Sequence, residues 1–282
     1  MIVGSRCDSE ASDHVRMYRE VLSPLTQHWD LTWELAKREV SDRYAGQGLV
    51  AIWVFIHPLL VMGIYVFIFS FVFKGSLGPS DGLAPDYTLY ILSGLIAWVS
   101  LQESMGKACG AIVTNAPLVK QVAFPVELLP AKSVLTSMLN LLIAICILVL
   151  YTIINQWRIP WTYTLIPVLL MFQLLMMMGV GYLLSSVCVY VRDLKDVVQA
   201  FGVIGVYLVP VLYPPQWVPN LARPLLYLNP LSYLIWCYQD VFSFGRLEHW
   251  WAWCIWPVFS IAIFAIGFRT FTTLKTMFGN VL

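Results

Sequence analysis

Long apolar segments alternate with short polar segments over most of this 282-residue chain. Six of the apolar segments hold roughly 20 residues each, the length that an α-helix needs to cross the hydrocarbon core of a bilayer. A helix is favoured there because it satisfies its own backbone hydrogen bonds without water. The six predicted spans are residues 50–73, 89–106, 134–154, 165–190, 197–212 and 253–273.

A further apolar segment, residues 225–244, is interrupted in two places. Asn229-Pro230 breaks its first half, and Gln239-Asp240 places polar side chains near its end. Irregular backbone at membrane depth is tolerated where protein or a wet cavity surrounds it. The pattern favours a re-entrant or interfacial hairpin between the fifth and sixth spans, and a seven-span topology is the alternative.

The composition agrees with an all-α integral membrane protein. Hydrophobic residues make up 59% of the chain and charged residues only 12%, whereas a soluble domain has about 25% charged residues. The first 49 residues are polar and lack a cleavable apolar region, so no signal peptide is predicted. We divide the chain into a cytoplasmic tail, residues 1–29, and a transmembrane domain, residues 30–282.

The distribution of lysine and arginine predicts the orientation in the membrane. If the N-terminus is cytoplasmic, thirteen of the seventeen basic residues fall on the cytoplasmic side and four on the opposite side. Loops rich in Lys and Arg stay in the cytoplasm. Both termini are therefore predicted to be cytoplasmic, with six spans between them.

Motifs that would indicate catalysis or nucleotide binding are missing from the sequence. There is no G-x-x-x-x-G-K-[ST] loop, so the chain is not expected to bind nucleotide phosphates by itself. The net charge of +1 gives no indication of nucleic-acid binding. The six cysteines show no spacing typical of a metal site or a disulfide framework. We expect no enzymatic activity, metal or cofactor in this chain.

Few ionisable or strongly polar side chains lie inside the predicted spans. His57 is interpreted as an interhelical or interfacial donor, and Glu103 is predicted to pair with Lys107 one helical turn later. Asn140 and Gln173 are predicted to form hydrogen bonds between helices. An ion-driven carrier would need a chain of carboxylates across the membrane, and its absence indicates that another protein supplies the energy.

Residues 30–44, before the first span, have the pattern of an amphipathic helix. At 100° per residue, one arc of the helix is apolar and the rest carries mixed charges, which is typical of a helix lying on the inner leaflet. Glu34 and Arg38 belong to the charged face. The helix is either a simple membrane anchor or also a docking surface for a cytoplasmic partner. The apolar arc consists of Trp33, Ala36, Val40 and Tyr44.

The connection between the second and third spans is long for a helix bundle. Pro117 and Pro125 bracket a short apolar segment that also contains Lys120, enough for about two helical turns. A short amphipathic helix at a cytoplasmic elbow can insert into a groove of a partner protein. We refer to residues 115–125 as the elbow.

Five short motifs in sequential order identify a resemblance to a known family. The motifs are Arg43-Tyr44 before the first span, Asn115…Leu118-Val119-Lys120…Phe124-Pro125 after the second, Arg192-Asp193-Leu194 after the fourth, and Pro210…Tyr213-Pro214 and Asn229-Pro230-Leu231 after the fifth. Together they closely resemble the membrane subunits of type-2 ABC exporters of polysaccharides, the permeases for O-antigen, group 2 capsule and teichoic acid. The similarity extends from about residue 31 to the C-terminus.

The resemblance implies a protein of the bacterial inner membrane that works as a homodimer with two copies of a separate nucleotide-binding subunit. That subunit would bind ATP and Mg²⁺. The substrate would be a lipid-linked polysaccharide moved from cytoplasm to periplasm, with O-antigen as the first choice and capsule as the second. The resemblance also implies six spans, an N-terminal interfacial helix and a periplasmic re-entrant hairpin.

Roles for individual residues follow from the same resemblance. The expected ATPase-coupling residues are Glu34, Arg38, Asn115, Leu118, Lys120 and Phe124. Arg192 and Asp193 would belong to the inner gate. Many relatives have arginine after the hairpin tyrosine, whereas Tyr238 is followed here by Gln239, so the role of that arginine is not carried over.

Aromatic residues, 15% of the chain, suggest where the substrate passes. Tryptophans near the predicted outer boundaries fit an interfacial belt. Near the fifth span and the hairpin, aromatic faces could pack against sugar rings while Tyr hydroxyl and Trp N–H groups form hydrogen bonds. The predicted channel residues are Tyr207, Tyr213, Tyr233, Trp236 and Tyr238. Gly202 and Gly205 in the fifth span favour close packing between helices, and if the protein dimerises around the path this span is the candidate interface.

Two other functions remain open at this point. An ABC exporter of the same fold could carry a drug or a small lipid. The chain could also be an autonomous intramembrane enzyme or an ion-coupled flippase, although its few buried charges argue against this.

Overall fold

The computed structural model describes residues 29–43, 50–68, 87–120, 125–156 and 160–278, and its regular elements within these ranges are helices. The N-terminal half of the chain contains α1 (Trp29–Arg43), α2 (Val50–Phe67), α3 (Tyr87–Thr114), the short α4 (Ala116–Val119) and α5 (Leu128–Gln156). The C-terminal half contains α6 (Ile166–Tyr190), α7 (Leu194–Gly205), α8 (Arg223–Leu228), α9 (Pro230–Gln239) and α10 (Ala252–Lys275). A 3₁₀ turn (Trp161–Leu165) leads into α6, and a π-helical turn (Asp240–Phe244) extends α9.

Within the described residues, three helical segments are long and apolar enough to cross a membrane: Leu128–Asn155, Trp161–Tyr190 and Ala252–Lys275. They correspond to the predicted third, fourth and sixth spans. The second predicted span lies within α3, which has 28 residues and carries Glu103 and Lys107. The first predicted span, residues 50–73, coincides with α2 as far as Phe67. Residues 69–73 of that span lie outside the described residues.

The fifth predicted span, residues 197–212, is only partly α-helical. α7 ends at Gly205, and turns continue the chain to Val211. Twelve helical residues rise about 18 Å, less than the thickness of the hydrocarbon core. Pro210 then prevents an α-helix from continuing through the end of the predicted span, because proline lacks a backbone N–H and disfavours helical geometry in the residue before it.

α3 lies at the centre of the bundle, and polar contacts join it to α5 and α6. Glu103 accepts hydrogen bonds of 2.8 and 2.9 Å from the Asn140 side chain on α5. Its carboxylate also pairs with Lys107 at 2.9 Å, so the predicted pair is confirmed. Gln173 of α6 donates to the Ser100 hydroxyl at 2.6 Å. The predicted interhelical roles of Asn140 and Gln173 are therefore confirmed.

α6 and α10 cross in close contact at two glycines. A Cβ atom on Gly267 would lie 2.0 Å from the carbonyl oxygen of Gly179, and a Cβ on Gly179 would lie 2.5 Å from Cα of Phe264. Side chains at either position would force the backbones apart, so the absence of a Cβ permits the contact. The crossing fixes the last helix against the fourth predicted span.

Gly202 and Gly205 face α3, so the interpretation of these glycines as sites of close helix packing is confirmed. Both are buried within the single chain. A Cβ on Gly202 would lie 2.5 Å from the Gln102 side chain, and one on Gly205 would lie 2.4 Å from the Trp98 ring. Trp98 also donates from Nε1 to the Gly202 carbonyl at 3.1 Å. The small residues serve packing of α7 on α3, and the opposite face of α7 is exposed.

Candidate functional site

The elbow continues directly from α3. Asn115 ends that helix, donating from its side chain to the Ala111 carbonyl at 2.8 Å. The chain then forms a single helical turn, α4, shorter than the two turns predicted. Lys120 is exposed and Leu118 is half-buried, whereas Val119 packs against the core. Phe124, the last predicted coupling residue of the elbow, lies outside the described residues.

α1 packs on α5, and its Thr32 and Ala36 side chains are fully buried. Ala36 belongs to the apolar arc predicted to face the leaflet, so the prediction is wrong at this position. Glu34 and Arg38 lie on the exposed side of the helix, as expected for a docking face. Lys37, also exposed, lies 5.4 Å from the centre of the Trp33 ring.

Polar contacts gather distant segments at one end of the bundle, which we call the elbow end. Glu39 of α1 pairs with Lys132 in the second turn of α5 at 3.6 Å. Glu127, just before α5, pairs with Lys275 at the end of α10. Tyr190, the last residue of α6, donates to the Leu274 carbonyl at 3.4 Å. The segments predicted to be cytoplasmic thus share one end of the molecule.

Arg192 and Asp193, the predicted gate residues, form the turn between α6 and α7. Both are exposed. The backbone of the turn is closed by hydrogen bonds from Val197 N to the Asp193 carbonyl at 3.2 Å and from Lys195 N to the Arg192 carbonyl at 3.3 Å. Because Tyr190 contacts the end of α10, this turn lies at the elbow end as predicted.

The opposite end, which we call the hairpin end, is held by tyrosine and threonine hydroxyls. Tyr90 donates to the Pro210 carbonyl at 3.2 Å, and Tyr87 donates to the Leu212 carbonyl at 2.5 Å. Thr162 donates to the Val241 carbonyl at 2.7 Å. These bonds join the start of α3, the turns after α7, and the hairpin.

Two of the predicted channel tyrosines lie together beyond α7. The Tyr207 side chain is 61% exposed, and Tyr213 donates to its carbonyl at 2.7 Å. Burial raises the pKa of the Tyr213 hydroxyl above its usual value. The hairpin approaches this pair through Asn229, which donates to the Leu208 carbonyl at 3.2 Å.

The other predicted channel residues point into the hairpin's own core. Trp236 and Tyr238 are fully buried in the single chain, and Tyr233 is half-buried. The Trp236 ring stacks on His249 at 5.5 Å and meets Trp251 edge-on at 4.8 Å. The Trp236 and Tyr238 side chains are thus shielded from a polymer unless the hairpin moves, whereas Tyr233 is partly accessible.

Asp240 provides a buried carboxylate in the hairpin. From the sequence alone it was recognised only as part of a polar interruption of the apolar segment 225–244. Asp240 is fully buried. It accepts hydrogen bonds from the His249 backbone at 3.0 Å and from Trp253 Nε1 at 3.1 Å, and it lies 2.8 Å from His249 Nδ1. Its partners are nine and thirteen residues away, a spacing with no periodic signal. Burial requires such partners, because an unpaired charge would be costly there.

Gln239 occupies the position where many relatives of the expected family have arginine. It is fully buried and donates from Nε2 to the Pro210 carbonyl at 2.8 Å. The side chain therefore links the hairpin to the turns after α7. Across the described ranges, no group of three or more His, Cys, Asp or Glu side chains could hold a metal ion.

Comparisons with known proteins agree with this arrangement. The ABC-2 type transporter family matches residues 30–243. The O-antigen export system permease protein RfbA of Myxococcus xanthus is 32% identical over 236 residues, which cover 83% of this chain and 86% of that protein. Two proteins of the same name from Klebsiella pneumoniae are 25% and 24% identical over 256 residues, 90% of this chain and 95% of each relative.

Proposed function

Since the chain belongs to the ABC-2 type transporter family, we propose that it is the transmembrane subunit of an ATP-driven exporter of O-antigen. The observation that carries this conclusion is similarity, over most of both chains, to permeases named for O-antigen export. The sequence has no nucleotide-binding loop. ATP and Mg²⁺ therefore bind to a separate ABC subunit, which supplies the energy. The cargo is a polysaccharide attached to a lipid carrier.

The proposed topology has six spans with both termini in the cytoplasm of a bacterium. Segments rich in basic residues meet at the elbow end, which supports a cytoplasmic location for that end. The turns after α7 extend the fifth span as far as Pro210, at the level of Tyr90. Asn229-Pro230 then forms the tip of a re-entrant hairpin, held against Leu208.

The exposed face of α7 is the proposed contact between two copies of the chain. Val197 and Val203 are more than 60% exposed there, and Gln199, the third residue of the predicted fifth span, is also exposed. An amide group facing lipid would lack hydrogen-bond partners, whereas a second subunit or a hydrated path can supply them. The proposed assembly is a homodimer with two ATPase subunits.

A cysteine cross-link tests this contact. Val203→Cys, in a chain whose native cysteines are replaced by serine, is expected to give a cross-linked dimer in membranes. Leu150→Cys is the control, because Leu150 is similarly exposed, at 58%, but lies on α5. Equal cross-linking of both variants would contradict a specific contact through α7.

The elbow and the exposed face of α1 are the proposed docking surface for the ATPase. Lys120 and Leu118 are available on the elbow, and Glu34 and Arg38 lie on the exposed side of α1. α1 packs on the start of α5, directly after the elbow. Closure of the ATPase subunits on ATP would displace both surfaces together and open a path near the gate turn.

Tyr207 and Tyr213 are the proposed first contacts of the polymer at the hairpin end. Tyrosine faces and hydroxyls suit weak, repeated binding of sugar rings. Such binding allows a polymer to slide, since passage requires affinity low enough for release. Trp236 and Tyr238, which are buried, contact the polymer only after the hairpin moves away from the bundle.

Genetic complementation tests the function. Cells lacking the chain are expected to accumulate the lipid-linked polysaccharide in the cytoplasm and to lack surface O-antigen, and the wild-type gene should restore export. A variant with Leu118→Asp and Lys120→Glu should insert normally but fail to restore it. Val258→Ala is the control, because Val258 is 68% exposed on the apolar face of α10. Full export by the double variant would refute the docking surface, and normal surface O-antigen without the chain would refute the function.

An assay of ATP hydrolysis separates the proposed function from its rivals. In the purified complex, the polysaccharide intermediate should stimulate hydrolysis, and hydrophobic drugs or short-chain lipids should not. Stimulation by drugs alone would favour a drug exporter. Transport by the purified chain without an ATPase would favour an autonomous flippase.

A further inference from the structure

Glu127 is a nearly buried carboxylate immediately beyond the elbow. It follows Pro125 by two residues, and its side chain is 11% exposed. The carboxylate pairs with the Lys275 ammonium group, and the Glu127 backbone carbonyl accepts a 3.4 Å hydrogen bond from the Tyr182 hydroxyl. One residue therefore connects the segment after the elbow to both α6 and α10.

A second ion pair holds the same segment to α1. Lys132, five residues after Glu127, lies 3.6 Å from Glu39, and both side chains are less than 25% exposed. The start of α5 is thus held on one side by α1 and on the other by α10. The elbow cannot carry the start of α5 away from these helices without separating charges in a partly desolvated environment, which is costly.

The two members of the Glu127–Lys275 pair differ in their access to water. The Lys275 side chain is 41% exposed, whereas the Glu127 side chain is 11% exposed. If the pair opened, water could solvate the ammonium group but could scarcely reach the carboxylate. Separation therefore leaves a buried carboxylate without its cation, and this keeps α10 attached to α5.

α10 is also held by a close backbone contact with α6. Gly267, two turns before Lys275, lies against Gly179 where the two helices cross. A displacement of the start of α5 that pulls on Lys275 therefore acts on a pair of closely packed helices. These contacts form a continuous physical connection from the elbow to α6, which leads into the gate turn.

We infer that Glu127 and Lys275 are positioning residues that transmit movement of the elbow to α10 and α6. This inference rests on the proposed function, because it assumes that an ATPase subunit moves the elbow. It assigns to the ion pair a role in coupling ATP hydrolysis to export, separate from the docking of the ATPase. Loss of the ion pair should leave the rate of ATP hydrolysis unchanged and reduce the amount of polymer exported for each ATP hydrolysed.

The experiment uses the complete exporter in proteoliposomes and measures ATP hydrolysis and polymer export together. Glu127→Met replaces the carboxylate by an apolar group of similar volume, and the Lys275 ammonium group, whose side chain is 41% exposed, stays solvated. Export per ATP is expected to fall about fivefold or more, the usual lower range of coupling between sites. Lys275→Met should have the same effect, and Lys275→Arg, which keeps the cation, should retain most of the coupling.

Arg246→Met is the matched control, because Arg246 also forms an ion pair, with Glu248 at 2.7 Å, but on an exposed surface at the hairpin end. It is expected to keep the wild-type ratio. A normal ratio in Glu127→Met overturns the inference whatever the lysine variants do. A wild-type complex that hydrolyses ATP but exports no polymer overturns the proposed function instead.

Discussion

The crossing of α6 and α10 makes a quantitative prediction about Gly267. Replacement by alanine adds a Cβ atom 2.0 Å from the Gly179 carbonyl oxygen and 2.8 Å from its carbonyl carbon. Non-bonded carbon atoms prefer separations of about 3.5–4.0 Å, so the two backbones must move apart by about 1 Å or more. No flexible side chain can absorb this shift, because the obstacle is the main chain of the other helix.

The expected cost follows from two opposing effects. Overpacking in a well-packed core costs about 1–3 kcal/mol, and the rigid obstacle places this substitution at or beyond the upper end. Alanine is favoured over glycine in a helix by about 1 kcal/mol, which offsets part of the cost. We expect Gly267→Ala to lower the free energy of unfolding by about 2 kcal/mol.

Gly106→Ala is the matched control, since a Cβ on Gly106 of α3 would have no atom within 4 Å. It should be neutral or slightly stabilising. Thermal unfolding in detergent, followed by tryptophan fluorescence, measures both variants. The midpoint of Gly267→Ala should fall by about 4–8 °C. Equal midpoints for the two alanine variants would refute the close backbone crossing.

Three further substitutions test other contacts by the same unfolding measurement. Asn140→Leu removes the amide that donates to Glu103 and should cost about 1–3 kcal/mol; wild-type stability would contradict this contact. Asp240→Ala leaves the His249 backbone N–H and Trp253 Nε1–H without an acceptor. It should lower the stability more than Asp240→Asn, whose amide oxygen still accepts a hydrogen bond. A greater loss of stability in Asp240→Asn would argue against hydrogen bonding to Asp240 in the hairpin. Gly205→Ala places a Cβ 2.4 Å from the Trp98 ring and should cost about 1–3 kcal/mol, whereas an unchanged midpoint would show that α7 does not pack on α3 as described.

Local sequence signals located the helices and one short-range ion pair. α5, α6 and α10 fall on predicted spans because apolar composition alone selects helices in a bilayer. The Glu103–Lys107 pair is one turn apart on the same helix, so spacing was sufficient to predict it. The docking roles of Leu118 and Lys120 remain predictions.

Contacts between distant segments could not be read from the sequence. Glu127 and Lys275 are separated by 148 positions, and no periodicity relates them. The face of α1 was also assigned incorrectly at Ala36, which fits a lipid-facing surface as well as an internal one, and the sequence did not show that Gly202 packs on α3. A small side chain gives the same sequence pattern whether it faces lipid, a second subunit or the interior of the chain.

Hydropathy and local spacing are properties of neighbouring residues. They were sufficient to predict a helical membrane protein, the positions of its long helices, and the motifs that relate it to polysaccharide exporters. Which faces are covered, which tyrosines stay exposed and which charges meet at the elbow end became visible only in the folded chain, because packing and ion pairing join residues that are far apart in the sequence.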